Sequence, residues 1–327
     1  MRRRSAAILI AIGLAALAGL VMWYRASLPR RAAPPAFGVT FSTKYAKELG
    51  LDWKAAFVAS LDDLGIRKFR IPVYWDEAEP EEGRFAWDDI DWMLDEASKR
   101  GADVILAVGR KTPRWPECHV PGWAAKLQED AQRARVMAFL EAEIRHFSAF
   151  PAVRVWQVEN EPLFHFGKCP PPDRDFLKRE ILLVRGLDPR PVMVTDSGEL
   201  STWIRTATLG DVLGISMYRL VWNKYLGEVY WPVSPLYYTD RMNLLSPVVK
   251  KVIVSELQAE PWFRKPVAET PLDEQFEQMN PERLRGNVDF AVSTGASEIY
   301  LWGVEWWYWL KLQGQPGLWQ AARGLLS

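Results

Sequence analysis

Short apolar runs alternate with longer amphipathic stretches from residue 37 to the end of the chain. The short runs are rich in β-branched and aromatic residues, as strands are, whereas the longer stretches repeat apolar residues at the spacing of one helical face. Eight runs are predicted to be strands: residues 37–42, 68–75, 103–109, 153–159, 191–198, 211–218, 248–256 and 298–304.

A predicted helix follows most of these strands. After the second strand, Ile90, Met93, Leu94 and Ala97 mark one helical face and Gly101 ends the helix. Strands that are apolar on both faces and alternate with helices indicate a buried parallel sheet. Eight such units predict an α/β fold, a closed (β/α)8 TIM barrel. An open doubly wound sheet is the alternative, but no Gly-rich phosphate loop follows any strand.

The first 25 residues have a different pattern. Three arginines precede an uninterrupted apolar stretch over residues 6–23, which at 1.5 Å per residue approaches the thickness of a bilayer core. We interpret residues 1–25 as a transmembrane signal-anchor helix, with a signal peptide cleaved near "ALA" at positions 16–18 as the alternative. Residues 26–36 are a Pro-rich linker, and residues 37–327 are the barrel domain.

The N-terminal arginines also predict a location. If they stay cytoplasmic, the barrel is extracytoplasmic, either periplasmic or at the cell surface, although Arg25, Arg30 and Arg31 oppose that orientation. Cleavage would make the protein secreted. If the N-terminal helix is retained, it makes the membrane a partner, and the barrel is expected to be a monomer.

Composition excludes several classes of function. The charges of the 41 basic and 41 acidic residues cancel, so the chain has no net positive charge to attract nucleic acid. The three histidines, His119, His146 and His165, have no metal-ligand spacing, so neither a metal nor another cofactor is expected. Tryptophan is abundant at 17 residues. Such residues either fill the core or stack on ligands.

Two predicted strands end in carboxylates. The fourth delivers Asn160 and Glu161 before Pro162, in the stretch "VENEP", and the seventh runs through "VIVS" into Glu256. A carboxylate after a buried apolar strand is expected to be paired or functional, and reactive groups in these barrels lie at the C-terminal strand ends. Strands four and seven face each other across the barrel. Two carboxyl groups about 5 to 5.5 Å apart are what retaining glycoside hydrolysis requires.

These motifs resemble those of the retaining (β/α)8 glycosidases of glycoside hydrolase clan A, which includes the family 5 cellulases and mannanases. The resemblance rests on "NEP" after strand four, "SE" on strand seven and the segment "YWDEAEPEEGRFAWDDIDWML" after strand two. It implies that Glu161 is the acid/base, that Glu256 is the nucleophile and that Asn160 binds the sugar 2-hydroxyl. The acidic residue in "WQVENE" is closer to the β-galactosidases of the clan, which leaves the sugar open.

The resemblance also implies supporting residues. Arg70 resembles the strand-two arginine that keeps the nucleophile ionised, Tyr218 would donate to Glu256, and Trp302 resembles the tryptophan beneath the reacting sugar. Each has a structural alternative: an inter-strand salt bridge, a bond to backbone, or packing. Further candidates for contact with substrate are His165 and the tryptophans Trp75, Trp115, Trp306 and Trp307. Asp196 is expected to cap the following helix rather than bind substrate.

Two other glutamates and two cysteines complete the candidates. Glu159 and Glu260 lie beside the motif positions and are not expected to be catalytic. Cys118 and Cys169 fall in the loops after strands three and four, which are neighbours in a barrel. In an exported chain they are expected to form a disulfide, with separate buried thiols as the alternative.

The sequence therefore predicts a glycosidase that hydrolyses O-glycosyl bonds of a β-linked polysaccharide or oligosaccharide with retention. Transglycosylation by the same glutamate pair is one alternative. A catalytically inactive barrel that binds cell-surface polysaccharide is another, but such a protein would be expected to lack one of the carboxylates, and Glu161 and Glu256 are both present.

Overall fold

The computed structural model describes Gly19 and residues 34–326, apart from Lys224, Leu226 and Arg264. The predicted anchor over residues 1–25, apart from Gly19, and most of the predicted linker lie outside the described residues. Within the described part, no helix is long and apolar enough to cross a membrane. Pro35–Ser327 forms one compact unit.

The strands of the described part are β1 Ala36–Thr40, β2 Lys68–Pro72, β3 Asp103–Val108, β4 Val153–Val158, β5 Val192–Asp196, β6 Val212–Met217, β7 Leu220–Asn223, β8 Gly227–Tyr230, β9 Lys251–Gln258 and β10 Glu298–Trp302. Eight of them form a closed barrel in the order β1, β10, β9, β6, β5, β4, β3, β2, and every pairing is parallel. The predicted eight-stranded barrel is confirmed. β7 and β8 form a separate antiparallel hairpin after β6.

The helices are α1 Thr43–Glu48, α2 Trp53–Asp62, α3 Trp75–Ala78, α4 Asp88–Lys99, α5 Glu129–Phe147, α6 Arg174–Leu187, α7 Ile204–Ala207, α8 Pro235–Leu245, α9 Leu272–Gln278, α10 Pro281–Ser293, α11 Val304–Leu312 and α12 Gly317–Leu326. Two of them begin at aspartates that cap their first turn. Asp52 accepts bonds from the amides of Lys54 and Ala55, and Asp173 caps α6 in the same way.

One large side chain fills the lower part of the barrel. Tyr300 on β10 packs in a buried inner cluster with Ile105, Met193 and Ile253. Gly38 on β1 makes room for it, because a Cβ at Gly38 would lie 2.7 Å from the Tyr300 ring. The interior is therefore a packed core, as expected of a small barrel, and any reaction must take place at its mouth.

Strand β9 differs from the prediction. It starts at Lys251 and continues to Gln258, so Glu256 lies inside the strand rather than at its end. Its pairing with β6 shifts between Ile215, which faces Val254, and Ser216, which faces Glu256. Such an irregularity re-aims the side chain beside it, and here that side chain is Glu256.

Candidate active site

Glu161 lies in the turn immediately after β4. Its backbone has a φ of 42°, and that of Glu159 has a φ of 60°, a left-handed conformation that costs residues other than glycine about 1 kcal/mol or more. The surroundings hold the turn in place. The amide of Glu161 donates to Thr195 Oγ1 at 2.7 Å, and its carbonyl accepts from Lys111 Nζ at 2.9 Å. The same ammonium also donates to the carbonyl of Phe164.

Glu159 has a structural role in this turn. Its two carboxylate oxygens accept the amides of Arg110 and Lys111, each at 2.7 Å, and so tie the loop after β3 to the loop after β4. Two more buried glutamates, Glu143 and Glu180, lie behind it. Burial, together with the charge of Glu159, raises the pKa of both carboxyls well above their usual range.

Arg70 is the centre of the polar network in the barrel mouth. Its side chain is fully buried and donates in three directions: Nε to Gln157 Oε1 at 2.6 Å, Nη1 to Glu256 Oε1 at 2.7 Å, and Nη2 to Asn160 Oδ1 at 2.7 Å. One guanidinium thus joins β2 to β9 and to the residues after β4. The Arg70 and Glu256 pair is a charge-assisted hydrogen bond in a buried setting.

Glu256 has a second donor. The hydroxyl of Tyr218, which lies directly after β6, donates to Oε2 of Glu256 at 3.1 Å. Both oxygens of this carboxylate are therefore oriented by donors, while the residue keeps 5% of its surface exposed. A carboxylate that is oriented by two donors in this way is suited to act as a nucleophile.

The environment of Glu161 favours the protonated form of its carboxyl. Burial, followed by the nearby negative charge of Glu256, raises the pKa of Glu161 to about 8. The hydroxyl of Ser216 donates to its Oε1 at 2.7 Å and partly offsets that rise. Glu161 therefore holds a proton at neutral pH. A carboxyl that is kept protonated by its surroundings is suited to act as a general acid.

A third carboxyl of the site could not be identified from the sequence. Glu117 lies in the loop after β3, and its Oε2 accepts from Asn160 Nδ2 at 3.0 Å. Burial raises its pKa to about 8, with a smaller contribution from the charge of Glu256. The segment "WPECH" carries no catalytic motif, so nothing in the sequence indicates a role for its glutamate.

Trp302 lies at the end of β10 and is 7% exposed. Its indole Nε1 donates to Glu260 Oε1 at 2.7 Å, and the Arg114 guanidinium lies 4.2 Å from its ring centroid. Arg114 also stacks on Tyr45 and forms ion pairs with Glu260 and Glu305. Glu260 is thus held in this cluster, and Arg114 covers one face of the Trp302 ring.

The prediction of stacking on substrate was wrong for three of the four tryptophans. Trp75, Trp306 and Trp307 are fully buried. Trp75 begins the short helix α3, packs against Phe139 with ring centroids 5.7 Å apart and donates to Glu79. The chain leaves the barrel wall after Pro72, at the end of β2, and this turn directs Trp75 into the core rather than into the mouth.

His165 and Asp196 are two further candidates from the sequence. His165 is exposed in the loop after β4, and its contact with substrate stays a prediction. The prediction that Asp196 caps the following helix was wrong, because α7 begins after Trp203 and has no side-chain cap. Asp196 instead accepts from the hydroxyls of Ser201 and Thr206, each at 2.7 Å, and so links the chain before α7 to the helix. Among the described residues, no group of His, Cys, Asp and Glu is arranged to hold a metal ion.

An aromatic row continues from the carboxylates toward solvent. Tyr218 contacts Trp262 edge to face at 5.0 Å, Trp262 lies 6.2 Å from Phe166, and Phe166 lies 6.2 Å from Trp115. Trp115 is 60% exposed. The four residues come from the loops after β3, β4, β6 and β9, so their proximity is not evident in the sequence. We refer to Tyr218, Trp262, Phe166 and Trp115 as the aromatic row.

The predicted disulfide is present. Cys118 and Cys169 are bonded, with their Cα atoms 5.3 Å apart and a sequence separation of 51. It joins the loops after β3 and β4, which carry Glu117 and Trp115 on one side and Phe166 on the other. The bridge therefore fixes one wall of the mouth.

Comparison with known proteins gives a family match for part of the chain. The model of glycoside hydrolase family 42, described as beta-galactosidase, matches residues 53–180, which include Arg70, Glu117, Asn160 and Glu161. The predicted resemblance to clan A glycoside hydrolases is confirmed. The match supports a glycosidase. No curated protein matches the chain.

Solved structures share the fold at low sequence identity. A polyextremophilic β-galactosidase from the Antarctic haloarchaeon Halorubrum lacusprofundi is 16% identical, with a TM-score of 0.57 over 81% of this chain and 52% of its own. GH5_18 from Streptomyces cattleya, in complex with GlcNAc, is 15% identical over 83% and 71%, with the same TM-score. Xylanase 10B from Thermotoga petrophila RKU-1, in complex with xylobiose, is 12% identical over 83% and 82%, with a TM-score of 0.56. The chain spans about half the length of the haloarchaeal enzyme.

Proposed function

We propose that the chain is a retaining β-glycoside hydrolase in which Glu161 is the acid/base and Glu256 the nucleophile. The observation that carries this proposal is the contrast between the two carboxyls. Glu256 accepts bonds from Arg70 and Tyr218, whereas burial and the charge of Glu256 keep Glu161 protonated. Double displacement needs one ionised and one protonated carboxyl at the start of the reaction.

Each side chain has a role in one or both of the two displacement steps. Glu161 protonates the glycosidic oxygen while Glu256 attacks the anomeric carbon, so the bond to the leaving sugar breaks and a glycosyl ester on Glu256 forms. The charge of Glu256 is then consumed, which removes a cause of the raised pKa of Glu161. The Glu161 carboxylate next takes a proton from water, which attacks the anomeric carbon and releases Glu256. Arg70 and Tyr218 hold the leaving carboxylate.

The substrate is a β-linked oligosaccharide or polysaccharide. A β-galactoside is the first sugar to test, because the matching family model is described as beta-galactosidase and covers the Glu161 half of the site. The aromatic row extends outward from Tyr218 to the exposed Trp115. Flat apolar rings along such a path are suited to stack on successive sugar rings, which favours a chain of sugars over a single one.

The test is hydrolysis of aryl β-glycosides and β-linked polysaccharides by the full chain. Glu256→Gln and Glu161→Gln are run beside it, with the exposed Glu141→Gln on α5 as the matched control. We expect activity in the parent and the control and at least a hundredfold loss in both site variants. Proton NMR of the first-formed product must show the β anomer. An α product, or full activity in Glu256→Gln, would refute the proposed mechanism.

We also propose that residues 1–25 anchor the protein in a membrane with the barrel outside the cytoplasm. The support is the arginine-flanked apolar stretch over residues 6–23. Membrane fractionation of the full chain and of a chain starting at Pro35 tests this. Sedimentation with membranes is expected only for the full chain, and equal solubility of the two would contradict an anchor.

A further inference from the structure

Glu117 is held more firmly than a loop carboxylate needs to be. Its φ of 72° is left-handed, its amide donates to the carbonyl of Arg114 at 2.7 Å, and its carbonyl accepts from the amide of Thr112 at 2.9 Å. Gly167 packs directly on it, since a Cβ there would lie 2.6 Å from Glu117 Cβ. The following residue, Cys118, is in the disulfide. Strain that is held from several sides is typical of functional positions.

This arrangement fixes the amide of Asn160. Its Nδ2 donates to Glu117 Oε2 at 3.0 Å, while its Oδ1 accepts from Arg70 Nη2 at 2.7 Å. The amide therefore has a donor side toward Glu117 and an acceptor side toward Arg70, and it cannot be reversed without losing both bonds. Asn160 thus occupies Oε2 of the Glu117 carboxyl.

Glu117 is also close to the reacting groups. Its charge and that of Glu256 act on each other, and Arg70 and Lys111 act on it as well. Asn160 and Glu256 share one guanidinium, so the Asn160 and Glu117 pair is linked to the nucleophile through Arg70. A sugar whose anomeric carbon meets Glu256 has its C2 substituent on the neighbouring atom. Bonds to that position strengthen in the transition state of glycoside hydrolysis.

We propose that Glu117 is a specificity-determining carboxyl that hydrogen-bonds the C2 hydroxyl of the reacting sugar through Oε1 while it orients Asn160 through Oε2. The proposal rests on the proposed glycosidase function. It defines the substrate class more closely, as β-glycosides with a free 2-hydroxyl. A buried polar group that loses its partner is costly, so the site discriminates against sugars that lack this hydroxyl.

The experiment compares paired substrates with the full chain. The 4-nitrophenyl β-glycoside of the sugar that the parent hydrolyses is compared with its 2-deoxy counterpart, for the parent, Glu117→Ala and Glu117→Gln. We expect Glu117→Ala to lower kcat/KM about 10- to 100-fold on the 2-hydroxy substrate but less than about threefold on the 2-deoxy substrate. Glu117→Gln keeps an acceptor for Asn160 and a polar group toward C2, so it is expected to recover most of the loss.

Glu143→Gln is the matched control, because it changes a buried glutamate behind the barrel wall and outside this pair. Its effect is expected to be equal on the two substrates. Equal losses on both substrates in Glu117→Ala would assign Glu117 a purely structural role and overturn the inference while leaving the glycosidase proposal intact. A parent that hydrolyses no substrate would overturn the proposed function, and this inference with it.

Discussion

The hydroxyl of Ser216 donates a 2.7 Å hydrogen bond to Oε1 of Glu161, 55 residues earlier in the chain. Ser216 also pairs with Glu256 across the shifted register of β6 and β9. One serine thus lies between the two carboxyls, contacting Glu161 through its side chain and Glu256 through the strand pairing. The bond stabilises the ionised form of Glu161 and opposes the burial that raises its pKa.

This relationship predicts a pH profile. The proposed acid must be protonated, so kcat/KM is expected to fall as the pH rises through the Glu161 pKa of about 8. Ser216→Ala removes a bond to the ionised form, so the alkaline limb should move to higher pH. Initial rates on an aryl glycoside between pH 5 and 10 measure the shift.

Ser60→Ala is the control for this shift. Ser60 is equally buried, but its hydroxyl bonds to the carbonyl of Ala56 within α2. Its pH profile should match that of the parent. A limb that moves to lower pH in Ser216→Ala would contradict the assignment of Glu161 as the acid.

Arg70 is predicted to contribute strongly to stability. Arg70→Met leaves Glu256 without its counter-ion in a buried setting, and removing one partner of such a pair costs about 3–5 kcal/mol in the free energy of unfolding. Urea unfolding at pH 7 measures the change. Arg145→Met removes an exposed ion pair with Glu141 on α5 and is expected to cost less than about 1 kcal/mol. Similar losses in the free energy of unfolding for the two variants would show that the buried network around Arg70 adds nothing to stability.

The aromatic row predicts a difference between long and short substrates. Trp115→Ala removes its exposed end, which lies beyond Tyr218, Trp262 and Phe166. We expect KM for a polysaccharide or long oligosaccharide to rise about 5- to 20-fold, as the loss of one stacked ring implies, with kcat and KM for an aryl glycoside nearly unchanged. Trp87→Phe, which alters a stack at α4 and α5, is the control. Equal effects on both substrates would exclude a platform for outer sugars.

The buried Glu143 predicts a pH dependence of stability. Burial raises its pKa well above the ordinary value of 4.5, so above that pH the folded chain keeps a proton that the unfolded chain releases. Stability from this group therefore falls as the pH rises, by up to about 1.4 kcal/mol per pH unit. Glu143→Gln should become increasingly more stable than the parent between pH 5 and 8. Urea unfolding at both pH values, with the exposed Glu141→Gln as control, tests this, and a constant difference would contradict it.

The barrel was predictable because apolar strands and amphipathic helices alternate in a regular way. The same regularity identified the strand ends that carry Glu161 and Glu256, and it placed Cys118 and Cys169 on neighbouring loops. The pattern does not show where each strand ends. The second strand ends at Pro72 instead of continuing to Trp75, and the turn that follows carries Trp75 into the core.

The remainder of the site depends on loop conformation, which local sequence does not specify. Glu117 reaches Asn160 through a left-handed turn, and Arg114 reaches Trp302 and Tyr45 from the same loop. Trp262 joins the aromatic row only because the loop after β9 lies against the loop after β4. No periodicity or motif in the sequence predicts these contacts, because each one depends on how separate loops pack together.

The three-way bonding of Arg70 also bears on how the barrel folds. Its partners arise from β4, from the turn after β4 and from β9, so the side chain has its counter-ion only when β9 has joined the sheet. A fragment that ends before Lys251 would enclose the guanidinium with amide partners alone. Such a half-assembled barrel is disfavoured, and the chain should close in one cooperative step instead of accumulating a stable N-terminal half.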